Sequence, residues 1–498
     1  LELDGVPGLF EAGCDHRADC RRVGKGAISF RAMSEARLPE STRRPLGKLH
    51  ARVSPVGFGG YRVDDRVARH REALRLALLS GVTLVDTSTN YGDGHSELLV
   101  GKVLKEMAAA GEVKRDEVVV VTKAGYVQGS NLREALDRRK IGDPWREMTE
   151  YSRDCWHCIS PGFLKDQLTA SLGRLGMARV DLLLLHNPEY FLMDAEHRNM
   201  PLAEAREAFY DRVGRAFEQL EKEVAAGRIG AYGISSNTFV VPHGKADAVD
   251  LLRLLDLAGS GFAAIQLPMN PVELGAREPI HTTDGRSVLD VAREREIAVL
   301  VNRPLNGFRQ GRLHRFADVA APFALVPSPA PDALSRLRSA EEEFARAFAP
   351  RLSVEDGVAP PEQLIAVSPL LAEFEKRGLD LSTFREVWDE VVEPRRTELL
   401  GELREVFARD AAFGRWADAW DLALLEAASG LVARLLPKEE ARAAELSAIV
   451  TRDLHESLEG TLSQRTIKGL ADVAGVTSVL VGMRRPEYVR DAVGAFGS

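Results

Sequence analysis

Short apolar runs alternate with amphipathic segments along the chain from Val53 onward. Runs such as Val118–Val121 and Leu182–Leu185 are continuously apolar, which is typical of strands buried on both faces of a parallel sheet. The intervening segments carry apolar residues at helical spacing, as at Leu74, Ala77 and Leu78. The predicted strands are VSPVGFGGYR, TLVDTS, VVVVTKAGY, VDLLLLHNPE, GAYGISSNT, FAAIQLPMNP, IAVLVNRPL and VTSVLVGM. Eight strands alternating with helices predict an α/β protein with a (β/α)8 TIM barrel rather than a doubly wound sheet.

Three stretches are longer than this repeat requires. Residues 126–158 extend the loop after the third strand, and residues 190–204 extend the loop after the fourth. Residues 307–455 follow the seventh strand, and their second half is helical in pattern and rich in Ala, Leu, Glu and Arg. We expect a large, mainly helical subdomain at 307–455 and a barrel over 46–306 and 456–498. That subdomain is also a candidate docking site for a protein partner.

The N-terminal segment is expected to stand apart from the fold. We expect poor order over residues 1–45. The chain begins at Leu1, and Met33 opens the run MSEARLPESTRRPLGKL. One interpretation is that residues 1–32 lie upstream of the natural start.

Composition narrows the class of protein. The formal net charge of −8 argues against a nucleic-acid-binding surface, which needs a basic excess. No apolar run approaches the roughly 20 residues that a membrane helix needs, and no secretory signal pattern precedes the barrel. Four cysteines in 498 residues do not make a disulfide framework, which favours a reducing, cytoplasmic location.

Four chemically distinctive side chains follow three consecutive predicted strands. Asp86 and Tyr91 follow the second strand, Lys123 ends the third and His186 ends the fourth. In a barrel these strand ends converge on the face where active sites form. Lys123 is costly to bury without a charge partner, and Asp86 on the adjacent strand is the natural one. Singly, each residue has a structural alternative, as a cap, a packed ring, a snorkelling lysine or a core histidine.

The combination indicates proton transfer. A tyrosine ordinarily titrates near pH 10, which is too high for ready exchange at neutrality. An ammonium about 4 Å away favours the phenolate by about 4 kcal/mol, or about three pKa units before desolvation subtracts. We therefore expect Lys123, kept charged by Asp86, to make Tyr91 a general acid or base, with His186 orienting a carbonyl oxygen. This set suits carbonyl reduction or alcohol oxidation beside a hydride donor.

Seven motifs resemble those of the aldo-keto reductase family, in the family's order. They are GFGGYR, DTSTNYGDGHSE followed by VG, VVTKAG, DLLLLHNPE, GISSN, IQLPMN and VTSVLVGMRRPEYV, and they cover most of residues 46–306 and 456–498. The resemblance implies a (β/α)8 barrel oxidoreductase that binds NADP(H), or NAD(H), without a Rossmann domain. It also implies a catalytic tetrad of Asp86, Tyr91, Lys123 and His186, with tyrosine as the proton donor to the carbonyl.

The resemblance also indicates which residues would bind the cofactor. Family members often have an aromatic ring under the nicotinamide at the end of the seventh strand, where this chain has Asn302, which cannot stack. Arg484 and Arg485 begin the last helix and could grip a 2′-phosphate, although a solvated basic helix start is the alternative. Tyr488 and Ala492 stand where basic and amide residues are common, which alters the adenine contacts. The expected cofactor residues are Gly60, Tyr61, Ser235, Ser236, Asn237, Gln266, Asn302, Arg303, Pro304, Leu305, Gly482, Arg484, Arg485 and Tyr488.

Two further features leave alternatives open. The CWHC run from Cys155 to Cys158 is a zinc half-site, a redox pair or two unpaired thiols, and no metal is expected because the other cysteines, Cys14 and Cys20, lie in the N-terminal segment. His95 is expected to be a solvated loop histidine.

The missing aromatic ring and the long insertion also allow a second function, that of a cofactor-sensing binding or regulatory protein with little catalysis. A third possibility is an elimination or epimerisation that uses the same tetrad.

Overall fold

The computed structural model describes residues 37–309, 311–318, 326, 329–352, 360–454 and 459–497. The described residues divide into a barrel unit, 37–317 with 446–497, and a helical unit within 318–445. The strands are β1 (Arg44–Leu46), β2 (Leu49–Val53), β3 (Val56–Gly59), β4 (Leu84–Asp86), β5 (Val119–Ala124), β6 (Tyr126–Val127), β7 (Trp156–His157), β8 (Val180–His186), β9 (Ile229–Ser235), β10 (Phe262–Pro268), β11 (Ala298–Asn302), β12 (Asn306–Arg309), β13 (Arg312–Arg315) and β14 (Ser478–Val481).

The helices follow the same alternation in the barrel unit and dominate the helical unit. They are α1 (Ala68–Leu79), α2 (His95–Ala109), α3 (Gly129–Lys140), α4 (Pro161–Leu175), α5 (Tyr190–His197), α6 (Leu202–Ala225), α7 (Leu251–Leu257), α8 (Val288–Glu294), α9 (Ala333–Ala347), α10 (Pro361–Ile365), α11 (Ser368–Arg377), α12 (Leu381–Val387), α13 (Leu400–Val406), α14 (Ala411–Leu454), α15 (Leu462–Ala471) and α16 (Pro486–Gly494). No helix in the described part of the chain is both long and apolar enough to cross a membrane.

Eight parallel strands close into a barrel. Its order is β3, β4, β5, β8, β9, β10, β11 and β14, and β14 pairs with β3 to complete the ring. Each of the eight predicted runs overlaps one of these strands, so the prediction of a (β/α)8 barrel is confirmed. Gly233 shows how tightly the ring is built, because a Cβ there would lie 1.9 Å from the Ala264 carbonyl oxygen of the neighbouring strand.

The barrel interior is apolar up to its polar mouth. Leu84, Val121, Leu182 and Leu300 belong to one buried cluster, together with Leu46 of the β1–β2 hairpin. The hairpin turn lies against the N-terminal ends of β10 and β11. A Cβ on its Gly47, at φ +54°, would approach the backbone oxygens of Ala263 and Glu296 to within 2.8 Å. Functional side chains are therefore expected at the C-terminal ends of the strands.

The first described residues correct one expectation. Residues 1–36 lie outside the described part of the chain, but residues 37–45 are built into the barrel unit rather than poorly ordered. The Leu38 amide donates to the Ser80 carbonyl at 2.9 Å, and Arg44 donates to the Val476 carbonyl at 3.1 Å. Leu46 is fully buried at the end of β1. This burial and hydrogen bonding hold the segment in place.

The chain between β11 and β14 contains the β12–β13 hairpin and helices α9 to α15. The helical unit has its own aromatic core, in which Phe344, Phe348, Phe407, Phe413 and Trp416 are in mutual ring contact. The hairpin belongs to the barrel unit, and the division between the units falls at residue 318. The bounds 307–455 for an inserted domain stay a prediction.

Candidate active site

Lys123 is the centre of the polar mouth of the barrel. Its side chain is fully buried on β5, and its ammonium has three acceptors. Nζ lies 2.7 Å from Asp86 Oδ2, 2.9 Å from the Thr87 carbonyl oxygen and 3.2 Å from the Tyr91 hydroxyl. All three N–H donors of the ammonium therefore have a partner. The structure brings Asp86, Lys123 and Tyr91 into direct contact.

The loop after β4 positions Tyr91 through backbone pairing and a tight turn. The amides of Thr87 and Thr89 donate to the Val121 and Lys123 carbonyls, so the chain stays beside β5 after β4 ends. A short 3₁₀ turn then begins at Tyr91, where Gly92 and Asp93 adopt positive φ angles of 56° and 53°. The reversal leaves the Tyr91 ring over the Lys123 ammonium, with 4.7 Å between Nζ and the ring centroid.

His186 ends β8 beside the same tyrosine. The ring centroids of His186 and Tyr91 are 5.8 Å apart, and Tyr126 makes a closer edge contact with His186 at 4.7 Å. The Ser88 hydroxyl lies 3.0 Å from His186 Nδ1. The fourth member of the predicted tetrad therefore lies beside Tyr91.

Burial dominates the electrostatics of this cluster. The pKa of Lys123 is lowered, first by burial and against the opposing pull of the Asp86 carboxylate. The pKa of Tyr91 is raised well above its ordinary value, first by burial and then by the charge of Asp86. Burial, followed by the charge of Lys123, lowers the pKa of His186 well below its ordinary value, so the imidazole is neutral.

The direction of the Tyr91 shift corrects an expectation. The sequence predicted that the Lys123 charge would lower the pKa of Tyr91. In the structure the loss of water around the phenolate and the nearby Asp86 carboxylate outweigh that attraction. Tyr91 is therefore protonated at neutral pH, which is the state that a proton donor needs.

Gln266 and Ser235 face the tetrad rather than open space. The Gln266 amide nitrogen donates to Asp86 Oδ1 at 2.8 Å, and its oxygen accepts from the Ser235 hydroxyl at 3.1 Å. Ser236 Oγ accepts from the Thr238 amide and caps a short 3₁₀ turn. The Asn237 amide donates to Glu189 Oε1 at 2.8 Å. These predicted cofactor residues thus have intramolecular partners.

The end of β11 presents polar atoms of a different kind. Asn302 Oδ1 and Arg303 Nε are buried and have no hydrogen-bond partner among the described residues. Arg303 has a positive φ of 51°, and its Nη2 lies 3.2 Å from Glu273 Oε1. Pro304 is buried, and the carbonyl of Leu305 accepts from the Phe316 amide of the chain after β13.

The remaining predicted cofactor residues lie directly after β3 and around the start of α16. A Cβ on Gly60 would lie 2.7 Å from the Asp86 carbonyl oxygen, so a glycine is required beside the tetrad. Tyr61 is 64% exposed, and its ring meets that of Tyr91 at 5.2 Å.

At α16, Gly482 is exposed and Arg484 is partly buried. Arg485 is 5% exposed and engages its own helix, with its guanidinium 5.6 Å from the Tyr488 ring centroid and 3.8 Å from Glu487.

Comparison with known proteins supplies the family. The model of the aldo/keto reductase family matches residues 55–323, which is more than half of the 498-residue chain. The chain belongs to the aldo/keto reductase family.

Individual relatives in the family are distant and only partly matched. An NADH-specific methylglyoxal reductase of Escherichia coli K12 is 29% identical over 166 residues, 30% of this chain and 44% of that protein. A D-threo-aldose 1-dehydrogenase of a Pseudomonas species is 32% identical over 192 residues, 37% of this chain and 50% of that protein. The chain thus spans half or less of the length of these curated relatives. A solved glycerol dehydrogenase of Gluconobacter oxydans is 16% identical with a TM-score of 0.42, over 92% of this chain and 91% of its own.

The CWHC run is packed beside the mouth of the barrel. Cys158 is buried and donates to the Arg146 carbonyl, while Cys155 is partly buried, and burial raises the pKa of both thiols. His157 Nε2 lies 2.7 Å from the His186 carbonyl oxygen, and burial lowers the pKa of His157 to about 4. Among the described residues neither cysteine belongs to a group with metal-ligand geometry, and both thiols are free.

His95 is not the solvated loop histidine that was expected. Its Nδ1 lies 2.6 Å from Asp65 Oδ1, and Asp64 completes a carboxylate–imidazole group. Lys102 and Arg66 already pair with these two carboxylates. The group is a surface charge network that links α2 to the loop after β3.

Sequence reasoning missed two residues that contact the tetrad and one that contacts a predicted cofactor residue. Ser88 contacts His186 Nδ1, and Tyr126 packs on the His186 ring. Glu189 is 2% exposed and holds the Asn237 amide. Each lies within three residues of a tetrad member in the motifs DTST, KAGY and HNPE. Their position in these motifs was the signal that could have identified them. A motif does not show in which direction a side chain points.

Proposed function

We propose that this protein is an oxidoreductase that transfers a hydride between NADP(H) and a small carbonyl or alcohol substrate. The observation that carries the proposal is the position of the Lys123 ammonium, which contacts both Asp86 and the Tyr91 hydroxyl inside a buried site. A buried tyrosine with a pKa above its ordinary value holds its proton until a stronger acceptor forms beside it. The developing alkoxide of a carbonyl being reduced is such an acceptor.

Each residue of the tetrad then has a distinct task. Tyr91 donates the proton from its hydroxyl to the substrate oxygen, and in the reverse direction its phenolate accepts the proton. Lys123 stabilises that phenolate as it forms, because its charge is fixed in place before the reaction. Asp86 keeps the buried lysine ionised, and neutral His186 orients the carbonyl oxygen by hydrogen bonding. Bound NADP(H) would supply or accept the hydride.

The end of β11 supports a nicotinamide site. Asn302 Oδ1 is a buried acceptor without a described partner, which fits the N–H group of a carboxamide. Ser235, with Ser236 or Asn237, and Gln266 are the other residues that would hold the nicotinamide. The 2′-phosphate of NADP(H) would lie at Arg484, because Arg485 is buried against Tyr488. NAD(H) remains the alternative cofactor, as in the relative named an NADH-specific reductase.

The test combines turnover with cofactor binding. Purified protein is assayed for NADPH and NADH oxidation at 340 nm against a panel of aldehydes and ketones, and for thermal stabilisation by each cofactor. A cofactor that binds only the native state raises the melting temperature. Tyr91→Phe is expected to lower kcat by about 10³-fold while the NADPH-dependent shift persists.

A matched control and a contrary result complete this test. Tyr232→Phe removes a hydroxyl that instead accepts from the Gly259 amide, so it should leave turnover near that of the wild type. Full activity of Tyr91→Phe would contradict the role assigned to this hydroxyl.

The replacement of a stacking ring by Asn302 favours one alternative function. A barrel that binds a nicotinamide cofactor without efficient turnover would act as a cofactor-sensing or regulatory protein. Thermal stabilisation by NADPH, with no oxidation across the carbonyl panel, is the outcome that selects this alternative.

A further inference from the structure

Ser88 lies among three acceptors that compete for its single proton. The side chain is fully buried, and Oγ lies 2.8 Å from Asn90 Oδ1, 3.0 Å from His186 Nδ1 and, in the longest contact, 3.4 Å from the Lys123 carbonyl oxygen. A hydroxyl group carries one donor and two acceptor lone pairs. Only one of these neighbours can therefore receive the Ser88 proton at a time.

Asn90 extends this contact away from the tetrad. Its Nδ2 donates to Gln128 Oε1 at 3.2 Å. Gln128 directly follows β6, in the long segment between β5 and β8. Three polar side chains thus form one hydrogen-bonded row from that segment to the ring of His186.

The direction of this row decides which nitrogen of His186 carries the proton. His186 is neutral, so its ring has one N–H. If Ser88 donates to Nδ1, the ring proton is on Nε2. If the Ser88 proton is held by Asn90, then Nδ1 must carry the ring proton and donate to Ser88, which leaves Nε2 bare.

Only one of these tautomers suits a carbonyl. Nε2 makes no hydrogen bond to any described residue, so it is the nitrogen left for a substrate. A bare Nε2 and a carbonyl oxygen are both acceptors and repel each other. Carbonyl orientation by His186 therefore requires Ser88 to donate to Nδ1.

We propose that Ser88 is a positioning residue that sets His186 in the Nε2–H tautomer, and that the Asn90 amide, backed by Gln128, controls the direction of the Ser88 hydroxyl. This inference rests on the proposed function, since it assigns His186 a carbonyl as its partner. With the oxygen of Asn90 toward Ser88, the amide competes for the hydroxyl proton. A half turn of the amide presents Nδ2, which donates to Ser88 and directs its proton to His186. Gln128 accommodates either orientation because its own amide has both a donor and an acceptor.

The tautomer is measured by nitrogen NMR of protein labelled with ¹⁵N-histidine, in which protonated and bare ring nitrogens resonate far apart. Assignment uses the His186→Asn variant, whose spectrum lacks the His186 signals. Ser88→Ala is expected to move His186 away from the Nε2–H state. The same substitution should lower kcat for carbonyl reduction about tenfold, with the dissociation constant of NADPH unchanged. An unmoved NMR pattern in Ser88→Ala overturns the inference.

Two substitutions at Asn90 give opposite expectations. Asn90→Asp introduces an acceptor without a donor, so it should hold the Ser88 proton and place the His186 proton on Nδ1. Asn90→Leu removes the shorter of the two competing contacts and leaves only the Lys123 carbonyl oxygen at 3.4 Å, so it should favour Nε2–H, with a kcat at least tenfold above that of Asn90→Asp. The same tautomer in both variants, or a doubly protonated ring in Asn90→Asp, overturns the control assigned to Asn90.

A matched control and a separable readout complete the experiment. Ser130→Ala removes a hydroxyl that donates to Asp93 rather than to Asn90 or His186, and it should leave the His186 signals in place. If the wild type reduces no carbonyl with either cofactor, the proposed function fails while the NMR comparison still decides the role of Ser88. Normal turnover with an unmoved tautomer in Ser88→Ala rejects this inference alone.

Discussion

Two groups of buried polar atoms at the mouth of this barrel differ in how their hydrogen bonds are satisfied. The paired cluster, Asp86, Lys123 and Gln266, joins β4, β5 and β10, and the charged atoms of its ion pair all contact protein partners. The second group, called the unpaired cluster for this shared property and not for a contact between its members, is Glu189 after β8 with Asn302 and Arg303 at the end of β11. Each of its members has a buried nitrogen or oxygen with no hydrogen-bond partner among the described residues.

The difference separates a buried ion pair whose hydrogen bonds are complete from buried polar atoms whose hydrogen bonds are incomplete. A fully paired buried charge keeps its position while the substrate changes, which is what electrostatic stabilisation of a transition state requires. An unpaired buried acceptor costs about 1 to 3 kcal/mol in the free protein and becomes favourable only when a donor arrives. The paired cluster therefore suits chemistry, and the unpaired cluster suits recognition of a ligand.

The largest effect is expected from breaking the ion pair in the paired cluster. Lys123→Met leaves the buried Asp86 carboxylate without its counter-charge, so the free energy of unfolding should fall by about 3 to 5 kcal/mol. The double variant Asp86→Asn with Lys123→Met removes both charges and should recover most of that loss. Urea titration of the purified variants measures both changes.

A surface pair provides the matched comparison. Lys140→Met breaks an exposed pair with Asp137 and should cost less than about 1 kcal/mol. If Lys123→Met also lost less than about 1 kcal/mol, Asp86 would not be a buried charge that depends on Lys123. The contrast between the two clusters would then disappear.

The next effect is a pH dependence from Glu189. Burial, against the hydrogen bond from the Asn237 amide, raises the pKa of Glu189 from 4.5 to about 7. A carboxyl group with a raised folded-state pKa contributes stability that is fully present below pH 4.5 and is lost as the pH rises through about 7. Between pH 5 and 8 the loss should be about 2 to 3 kcal/mol.

Glu189→Gln tests this assignment because the amide keeps an acceptor for Asn237 but never ionises. Its unfolding free energy should depend less on pH than that of the wild type, and it should be the more stable protein at pH 8. Glu204→Gln, at an exposed position on α6, should retain the wild-type profile. If the unfolding free energies of Glu189→Gln and the wild type changed with pH in the same way, Glu189 would not belong to the unpaired cluster.

The smallest effect compares one amide from each cluster. Asn302→Leu removes an unsatisfied acceptor, so stability should stay constant or rise by about 1 kcal/mol, while the dissociation constant of NADPH rises about tenfold. Gln266→Leu removes a satisfied amide, so Ser235 loses its acceptor and Asp86 Oδ1 keeps only Lys123, and stability should fall by about 1 to 3 kcal/mol. Equal stability changes in the two variants would erase the distinction between the clusters.

The barrel was predictable because the local sequence indicates which strands are buried. Runs such as Leu182–Leu185 have no polar alternation, and glycine-bearing loops separate them from helical segments. The tetrad followed from the same pattern, since Asp86, Lys123 and His186 each end an apolar strand and barrel topology brings those ends together. Family motifs then added the expectation of a nicotinamide cofactor.

Side-chain partners across the mouth of the barrel were harder to predict from the sequence. Gln266 is 180 positions from Asp86, and nothing in the motif IQLP shows that its amide turns inward to that carboxylate. The same limit hid the contact between Ser88 and His186, because a hydroxyl can point to either side of its loop. The pairing of His95 with Asp65 was missed for this reason too.

The sequence by itself determined the number of barrel strands, their order and which strand ends carry ionisable groups, because these depend on hydrophobic spacing along the chain. Only the tertiary structure decided how deeply Tyr91 is buried, which acceptors surround Lys123 and which polar atoms near Asn302 lack a partner. The physical reason is that desolvation and hydrogen-bond geometry depend on every segment that encloses a group. Those segments come from distant parts of the chain.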